Sequence, residues 1–276
     1  MPTIRALLVE CSRANEAEAR HEAEILLGHA LGQSRAWLFS HADFEPAVTV
    51  EEYFRELLAA RQRGEPVAYL TGRRGFWTLD LDVTSDVLIP RPETELLVEL
   101  ALQRIPPDGT WRVADLGTGS GAIALALASE RPRAWILATD ASVAALQVAR
   151  DNAMRLEIGN VEFALGNWCD ALDGAPFDLV VSNPPYIAAG DVHLGRGDLR
   201  FEPSSALASG ADGLDAIRSI VRAVARHLAE RGWLLLEHGY DQGERVRAIL
   251  EGAGFSAVQT WQDMAGHDRV SGGMRT

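Results

Sequence analysis

Three groups of residues in this sequence could do chemistry together. The first is the loop Gly117-Thr118-Gly119-Ser120-Gly121, which follows the apolar segment 113–116 and precedes an alanine-rich segment. Glycines let the backbone approach a ligand closely, and the first turn of a following helix presents unpaired N–H groups. The pattern predicts a strand, a ligand-binding loop and a helix, with a tight turn that binds nothing as the alternative. Its last glycine comes one residue too early for the dinucleotide pattern GxGxxG.

The second group contains an acid and an aromatic residue. Asp140 ends the apolar segment 136–139 and lies 21 residues after Gly119. At the end of a second strand, a carboxylate can accept hydrogen bonds from both ribose hydroxyls of an adenosine ligand. Trp168 follows the next candidate strand, where an adenine would lie, although ordinary packing is an alternative for it. An NAD-dependent enzyme would place these features similarly, so the pattern indicates an adenosine group rather than one particular cofactor.

The third group is the tetrapeptide Asn183-Pro184-Pro185-Tyr186, which directly follows the apolar segment 177–182. This arrangement suits group transfer to a planar NH₂ nitrogen, whose delocalised lone pair makes it a poor nucleophile. The Asn183 side-chain oxygen and the Pro184 carbonyl could accept its two N–H bonds, and Tyr186 could stack on the planar group. Such a reaction needs no strong general base at the start, because the nitrogen becomes acidic only after transfer.

Alternating elements must position these groups. From residue 111 onward, the pattern predicts strands alternating with helices, which is typical of an α/β fold with a largely parallel sheet covered on both faces. The predicted strands are 111–116, 134–139, 161–165, 177–182, 232–238 and 256–261. The predicted helices are 121–130, 142–156, 213–230 and 241–253.

The N-terminal part of the chain predicts short helices. Apolar residues recur at helical spacing from Ile4 to Cys11, and further helices are expected at 16–31, after a capping box formed by Thr49 and Glu52, and from Pro66 to about Gly72. The scattered histidines His21, His29 and His41 do not suggest a metal site.

A β-hairpin is expected after this region. Apolar and polar residues alternate from Trp77 to Val83, and we predict that this strand pairs with 87–89.

Composition excludes several classes of function. The net charge is −13 and all 26 basic residues are arginine, which argues against a broad phosphate-binding surface and excludes a Walker-type lysine and a Schiff base. No apolar run is long enough to span a membrane, and the acidic N-terminal region does not resemble a secretory signal. With only Cys11 and Cys169, neither a disulfide framework nor a four-cysteine zinc site is expected, and a cytoplasmic location follows as the simplest interpretation.

The glycine loop, Asp140 and the tetrapeptide together resemble class I S-adenosylmethionine-dependent methyltransferases that act on amide or exocyclic amino nitrogens. More closely, the whole chain resembles the bacterial release factor glutamine methyltransferases. The matching stretches are 87–95, 115–125, 166–168, 182–187, 202–203, 206–207, Gly210, 212–214 and 232–237.

This resemblance implies a fold and a reaction. It implies a Rossmann-like domain with a mostly parallel seven-stranded sheet at 76–276, and a helical substrate-docking bundle at 1–75 joined to it by a β-hairpin at 76–90. The cofactor would be S-adenosyl-L-methionine and the product S-adenosyl-L-homocysteine. The substrate would be the glutamine of the GGQ motif in class I peptide chain release factors, methylated on its side-chain nitrogen. The protein would act as a cytoplasmic monomer without binding nucleic acid or membrane.

The resemblance also implies roles for individual residues. Gly117, Thr118, Gly119, Ser120 and Gly121 would line the methionine part of the cofactor, Asp140 would bind its ribose, and Trp168 would flank its adenine. Asn183, Pro184, Pro185 and Tyr186 would hold the glutamine, and Asn183 would also touch the cofactor. No metal is implied. Whether Arg91, Glu93 or Glu202 contacts substrate or braces the site stays open, and His193 and Arg196 are expected to be exposed loop residues.

Three alternatives remain at this point. A nucleic-acid adenine methyltransferase would use a similar tetrapeptide, but the first 75 residues hold 9 arginines against 11 acidic residues and so offer no basic surplus. A methyltransferase acting on a ribosomal-protein glutamine would share the motifs. A noncatalytic adenosine-binding scaffold is disfavoured by the intact tetrapeptide.

Overall fold

The N-terminal unit, Met1–Gly72, is helical in this computed structural model, which describes residues 1–11 and 16–276. Its helices are α1 (Ile4–Cys11), α2 (Glu16–Leu31), α3 (Arg35–Ser40), α4 (Val48–Gln62) and α5 (Val67–Thr71). Apolar side chains at helical spacing form its core: Ile4, Leu7, Leu26, Leu27, Leu38, Phe54 and Leu57. Two acids are buried among the described residues of this unit. Glu24 is 2% exposed and accepts hydrogen bonds from Arg20 and Arg35, and Glu51 forms an ion pair with Arg55.

The predicted capping box of α4 is wrong. The helix begins at Val48, and the Ala47 carbonyl accepts from the N–H groups of Val50 and Glu51. Thr49 therefore lies inside the first turn, and the N-cap residue Ala47 makes no side-chain capping bond. The predicted helices at 4–11 and 16–31 are confirmed, and Gly72 ends α5 in the left-handed conformation with φ 69°.

The second unit, Arg73–Thr276, begins with a hairpin whose predicted pairing is wrong. Strand β1 (Arg73–Phe76) pairs in antiparallel register with β2 (Leu79–Asp82), whereas residues 87–89 form no strand. Trp77 takes a positive φ of 56° in the turn between the strands. The Ile89 N–H donates to the Glu202 carboxylate at 3.0 Å instead of to a neighbouring strand. Val87 and Ile89 are buried although they belong to no sheet.

A seven-stranded sheet forms the centre of this unit. Its strands are β3 (Arg112–Leu116), β4 (Trp135–Asp140), β5 (Val161–Leu165), β6 (Phe177–Ser182), β7 (Leu228–Glu237), β8 (Phe255–Gln262) and β9 (Asp268–Arg275), in the order β5-β4-β3-β6-β7-β9-β8. Strands β3 to β7 pair in parallel with one another, and β9 is antiparallel to both β7 and β8. The predicted α/β class with a mostly parallel seven-stranded sheet is confirmed.

Helices cover both faces of the sheet. The helices of this unit are α6 (Glu95–Arg104), α7 (Ala122–Glu130), α8 (Val143–Arg155), α9 (Ser204–Leu207), α10 (Asp215–Val224) and α11 (Gly243–Gly252). Alternate residues of β3 point to opposite faces: Val113 packs with α6 and α7, whereas Ala114 packs with α10 and α11. Both cores are apolar and fully buried, which fixes the strand register that positions the loops.

The boundary between the helix predicted at 213–230 and the strand predicted at 232–238 needs correction, and one strand was missed. The helix predicted at 213–230 ends at Val224, because Leu228 already pairs with Phe177 as the first residue of β7. Strand β9 was not predicted, since its sequence is rich in glycine and poor in apolar residues.

Candidate active site

Strand pairing places the glycine loop beside the tetrapeptide. In the parallel pair β3–β6, Leu116 lies opposite Ser182, and the Ser182 hydroxyl donates to the Leu116 carbonyl at 2.6 Å. Gly117 directly follows β3 and Asn183 directly follows β6, so both loops leave the same edge of the sheet. The strand order also reverses between β3 and β6, and ligands of open α/β sheets bind at such a point.

The glycine loop depends on backbone conformations that side chains rarely adopt. Gly117, Gly119 and Gly121 have φ angles of 73°, 57° and 86°. The N–H groups of Gly117 and Thr118 both donate to the Thr139 carbonyl at 2.9 Å, which fixes the loop against β4. A Cβ at Gly119 would meet no atom within 4 Å, whereas one at Gly121 would lie 3.0 Å from Leu125. The second glycine thus leaves open space, and the third allows close packing.

A cavity of about 550 Å³ opens where these loops meet. Its lining includes Ser85, Asp86, Val87, Leu88, Gly117, Gly119, Asp140, Ala141, Ser142, Ala145, Gly166, Asn167, Trp168, Asn183, Pro185, Pro203, Ser205 and Ala206. This volume falls in the range typical of small-molecule sites. The cavity brings together residues from all three predicted groups: the glycine loop, the pair Asp140 and Trp168, and the tetrapeptide.

Asp140 is held at the cavity wall by two backbone donors. Its Oδ2 accepts from the Gly119 N–H and its Oδ1 from the Ser142 N–H, each at 2.9 Å. Each carboxylate oxygen can accept more than one hydrogen bond, so both retain capacity for a ligand hydroxyl. The geometry ties this acid directly to the glycine loop.

Trp168 packs on the same loop. A Cβ built on Gly117 would lie 3.3 Å from the Trp168 ring, and Trp168 itself has a positive φ of 52°. A bulky residue in that conformation is strained, and such strain is concentrated at functional sites. The ring therefore serves as packing for the loop and as one wall of the cavity.

Thr118 and Ser120 are buried rather than exposed to the cavity. The Thr118 hydroxyl donates at 2.7 Å to Asp115, a fully buried acid that the sequence analysis did not single out. Burial raises the pKa of Asp115 to about 7, against the lowering effect of the Thr118 hydrogen bond. Its Oδ1 has no hydrogen-bond partner within the part of the chain that the structure describes.

The tetrapeptide presents only some of its residues to the cavity. Asn183 and Pro185 line it, Pro184 is buried, and the Tyr186 hydroxyl donates to Glu237 Oε1 at 3.4 Å. Burial raises the pKa of the Tyr186 phenol well above its ordinary value. The Tyr186 carbonyl accepts from Gln242 Nε2 at 2.9 Å, which fixes the backbone at the end of the tetrapeptide.

Asn183 and Glu237 share a neighbour that the sequence analysis missed. Asn183 Nδ2 donates to Thr94 Oγ1 at 3.1 Å. Glu237 ends strand β7 and is 1% exposed; burial raises its pKa to about 7, while the Thr94 side chain lowers it. The one available signal was an acid at the end of an apolar strand, the same position that Asp140 takes on β4.

Glu202 braces the cavity wall. Its buried carboxylate accepts from the Ile89 N–H and from the Arg91 guanidinium. The segment after the tetrapeptide is joined to the segment after Glu202, because the Ile187 N–H donates to the Leu207 carbonyl at 2.9 Å. His193 pairs with Asp191 at 2.7 Å on an exposed loop, and Arg196 is also exposed.

Among the described residues, no group of three or more histidine, cysteine, aspartate or glutamate side chains could hold a metal ion. No helix among them is both long and apolar enough to cross a membrane.

Both units of the chain match known protein families. Residues 7–72 match the family model for the PrmC N-terminal domain, and residues 92–198 match the methyltransferase small domain. A solved structure of a T. thermophilus 16S rRNA N2 G1207 methyltransferase in complex with AdoMet and guanosine shares the fold, with a TM-score of 0.53 and 21% identity over 74% of this chain and 50% of that one.

Much closer relatives are found among curated sequences. The release factor glutamine methyltransferase of Xylella fastidiosa strain Temecula1 is 57% identical over 99% of this chain and 98% of its own length. The enzyme of the same name from Pseudomonas aeruginosa is 50% identical over 98% of each chain. By this near-complete similarity, and with the strand order and loops described above, the chain belongs to the release factor glutamine methyltransferase family.

Proposed function

We propose that this protein transfers a methyl group from S-adenosyl-L-methionine to the side-chain amide nitrogen of a glutamine in a class I peptide chain release factor. The observation that carries this proposal is the pairing of Leu116 with Ser182, which puts the glycine loop and Asn183 on one cavity. A methyl donor held by the first loop would thereby meet an amide held by the second. The activity for which these relatives are named supports the choice of substrate.

The residues present fit the cofactor. When bound, S-adenosylmethionine supplies an electrophilic methyl group on a sulfonium. Gly117 and Gly119 provide a cradle without side chains, and Asp140 offers two carboxylate oxygens to the ribose hydroxyls. Trp168 provides an apolar wall for the adenine. Thr118, Ser120 and Gly121 would act behind this surface by holding the loop in shape.

The tetrapeptide would orient the nucleophile. An amide nitrogen attacks only when its lone pair points at the methyl carbon. The Asn183 side-chain oxygen and the Pro184 carbonyl would accept its two N–H bonds, while Pro185 and Tyr186 shape the slot around it. Orientation of this kind would make transfer productive, because reacting atoms held about 3–3.5 Å apart need little further rearrangement. The electron pair of the broken C–S bond would stay on the sulfur of S-adenosyl-L-homocysteine. The methylated nitrogen would then be strongly acidic and lose its proton to water, so the chain needs no strong base in the cavity.

The N-terminal unit, Met1–Gly72, would dock the release factor. Its separate match to the PrmC N-terminal domain, within a chain whose relatives are named for this substrate, supports the assignment. The absence of a basic surplus in this region favours a protein partner over nucleic acid. We further propose that the protein acts as a monomer in the cytoplasm, where release factors function.

The test is mass spectrometry of a class I release factor after incubation with the protein and methyl-labelled S-adenosylmethionine. We expect one added methyl group on the glutamine of the GGQ motif. Asn183→Ala should lower the transfer rate at least about 100-fold, because it removes an acceptor that positions the reacting nitrogen. Retained activity in Asn183→Ala, or label on another residue, would overturn the proposal, and unchanged thermal unfolding of the variant serves as the folding control.

A further inference from the structure

Polar side chains connect Asn183 to a buried acid outside the cavity lining. Asn183 Nδ2 donates to Thr94 Oγ1 at 3.1 Å, and the Thr94 side chain interacts with the Glu237 carboxyl group. Tyr186 reaches the same carboxyl group with its hydroxyl, at 3.4 Å from Oε1. Thr94 and Glu237 are 3% and 1% exposed. This row of contacts lies within protein, where an unsatisfied polar group is costly.

The direction of the hydrogen bonds along this row is determined by the acid. Glu237 only accepts when it is ionised, which holds above the pKa of about 7 that burial gives it, and a threonine hydroxyl carries a single hydrogen. Glu237 Oε2 is buried and has no hydrogen-bond partner among the described residues, so it has capacity for the Thr94 hydrogen. Once that hydrogen points to Glu237, the Thr94 oxygen can only accept from Asn183. The Asn183 NH₂ group is then held toward Thr94.

This direction matters because an asparagine amide can turn over with little change of shape. Its oxygen and its NH₂ group are nearly the same size but opposite in hydrogen-bonding character. With the NH₂ group toward Thr94, the oxygen is the end left to accept from a substrate. In the reverse orientation, the Asn183 NH₂ group would face the NH₂ group of the substrate, and two donors would oppose each other.

We propose that Thr94 and Glu237 are positioning residues that fix the side-chain amide of Asn183 with its oxygen toward the substrate nitrogen. The inference rests on the proposed function and adds two residues to it. Neither residue need touch the substrate. Their effect is to exclude the amide orientation in which transfer cannot occur.

The kinetic test compares Thr94→Val, Thr94→Ser and Glu237→Gln with the wild-type protein on a release factor, at a pH well above the Glu237 pKa of about 7. Valine keeps the shape of threonine but cannot bond to Asn183, so we expect kcat to fall about 10- to 100-fold. Serine keeps the hydroxyl and should restore most of that loss. Glutamine offers an NH₂ donor that can reverse the direction of the hydrogen bonds from Asn183 through Thr94, so Glu237→Gln should lower kcat as Thr94→Val does. The Kd for S-adenosylmethionine should change less than about threefold in all three, because Thr94 and Glu237 lie outside the cavity lining.

A matched control makes the same substitution elsewhere. Thr260→Val removes a hydroxyl that bonds to Ser271 and Arg247 on β8, at the far edge of the sheet. It should leave kcat unchanged. Wild-type kcat in Thr94→Val, or equal losses in Thr94→Ser and Thr94→Val, would overturn the inference.

A second measurement does not depend on turnover. In protein labelled with ¹⁵N-asparagine, the Asn183 side-chain NH₂ signal is identified by its loss in Asn183→Ala. We expect slowed solvent exchange of one of its protons in the wild type and in Thr94→Ser, and faster exchange in Thr94→Val. Equal exchange in all three would contradict the arrangement. A wild-type protein that shows this protection but does not methylate a release factor would contradict the proposed function instead.

Discussion

Asp140 offers the clearest test at the scale of single residues. Its carboxylate lies in the cavity wall and already accepts from Gly119 and Ser142. Asp140→Ala should raise the Kd for S-adenosylmethionine about 10- to 100-fold, the equivalent of ~1.5–3 kcal/mol of charge-assisted hydrogen bonding to the ribose. Calorimetric titration gives this number directly.

The control for that variant removes a carboxylate that lies outside the cavity. Asp151→Ala acts on the exposed face of α8, where the carboxylate bonds only to Gln147 among the contacts of the described residues. Its Kd should equal that of the wild type. If Asp140→Ala also binds S-adenosylmethionine with unchanged affinity, Asp140 does not belong to the site.

Asp115 should make the stability of the unliganded protein depend on pH. Burial raises its pKa from 3.8 to about 7, so its carboxyl group contributes most to stability when protonated, below about pH 4. That contribution is lost as the pH rises toward 7. Between pH 5 and pH 8 the wild type should therefore lose roughly 2–3 kcal/mol of unfolding free energy through this one group.

Asp115→Asn should abolish this part of the pH dependence. Asparagine can keep an oxygen toward Thr118 and Ala124 and place its NH₂ group at the oxygen that has no partner. Urea unfolding at both pH values should show a smaller decrease for Asp115→Asn than for the wild type. Parallel decreases in the two proteins would show that Asp115 is not the titrating group.

Single residues also show where sequence reasoning ends. Gly117, Asp140, Trp168 and Asn183 were predictable because each stands at a fixed offset from an apolar strand. Thr94 was not, since its partner Asn183 is 89 residues away in the chain. The two meet only because the fold brings the start of α6 to the end of β6. Hydrogen bonds between distant segments leave no local pattern in a sequence.

At the scale of elements, Gly213 tests how the segment before α10 supports the tetrapeptide. Its φ is 79°, and a Cβ there would lie 2.2 Å from the Tyr186 carbonyl oxygen. Gly213→Ala should displace the backbone of the tetrapeptide, lower the free energy of unfolding by about 1–3 kcal/mol beyond the conformational cost, and reduce kcat. Denaturation and the methylation assay measure the two effects.

Gly174→Ala separates conformational strain from steric contact. Gly174 has a similar φ of 82°, but a Cβ there would meet no atom within 4 Å. It should cost roughly 1–2 kcal/mol for the left-handed conformation alone and leave kcat unchanged. Equal effects of the two substitutions on kcat and stability would mean that the close approach to Tyr186 is unimportant.

A helix or strand could be predicted where the spacing of its apolar residues agrees with the side that it buries. The parallel strands at 161–165, which is a partly exposed edge strand, and at 177–182, which is buried, were predicted with the observed bounds. The helix before β7 was predicted too long, because Leu228 continues the apolar spacing of α10 and joins the same core although it belongs to a strand.

Strand β9 shows the opposite case. It lies between β7 and β8, where a Cβ at Gly272 would come within 2.5 Å of the Leu234 carbonyl oxygen. The tight packing requires glycine in an interior strand, and glycine is a poor predictor of strands. The close packing in this part of the sheet therefore requires residues that lack the alternating apolar pattern of a strand.

At the scale of the whole molecule, the chain divides between Gly72 and Arg73, three residues before the boundary expected at 75. The sequence could predict two units because the helical spacing gives way to alternating strands and helices. The resemblance, rather than the pattern, supplied the seven-stranded sheet and the substrate. A docking function for the first unit stays a proposal, since the described residues of its helices form no grouping that identifies a partner.

The central claim is that a glutamine amide and the methyl donor meet in the cavity between Gly117 and Asn183. A crystal structure of the protein with S-adenosylhomocysteine and a class I release factor tests it most directly. We predict that the ribose contacts Asp140, and that the glutamine side-chain nitrogen donates to the Asn183 oxygen and the Pro184 carbonyl while facing the sulfur. A glutamine bound outside this cavity, or a cofactor bound away from the glycine loop, would contradict the account.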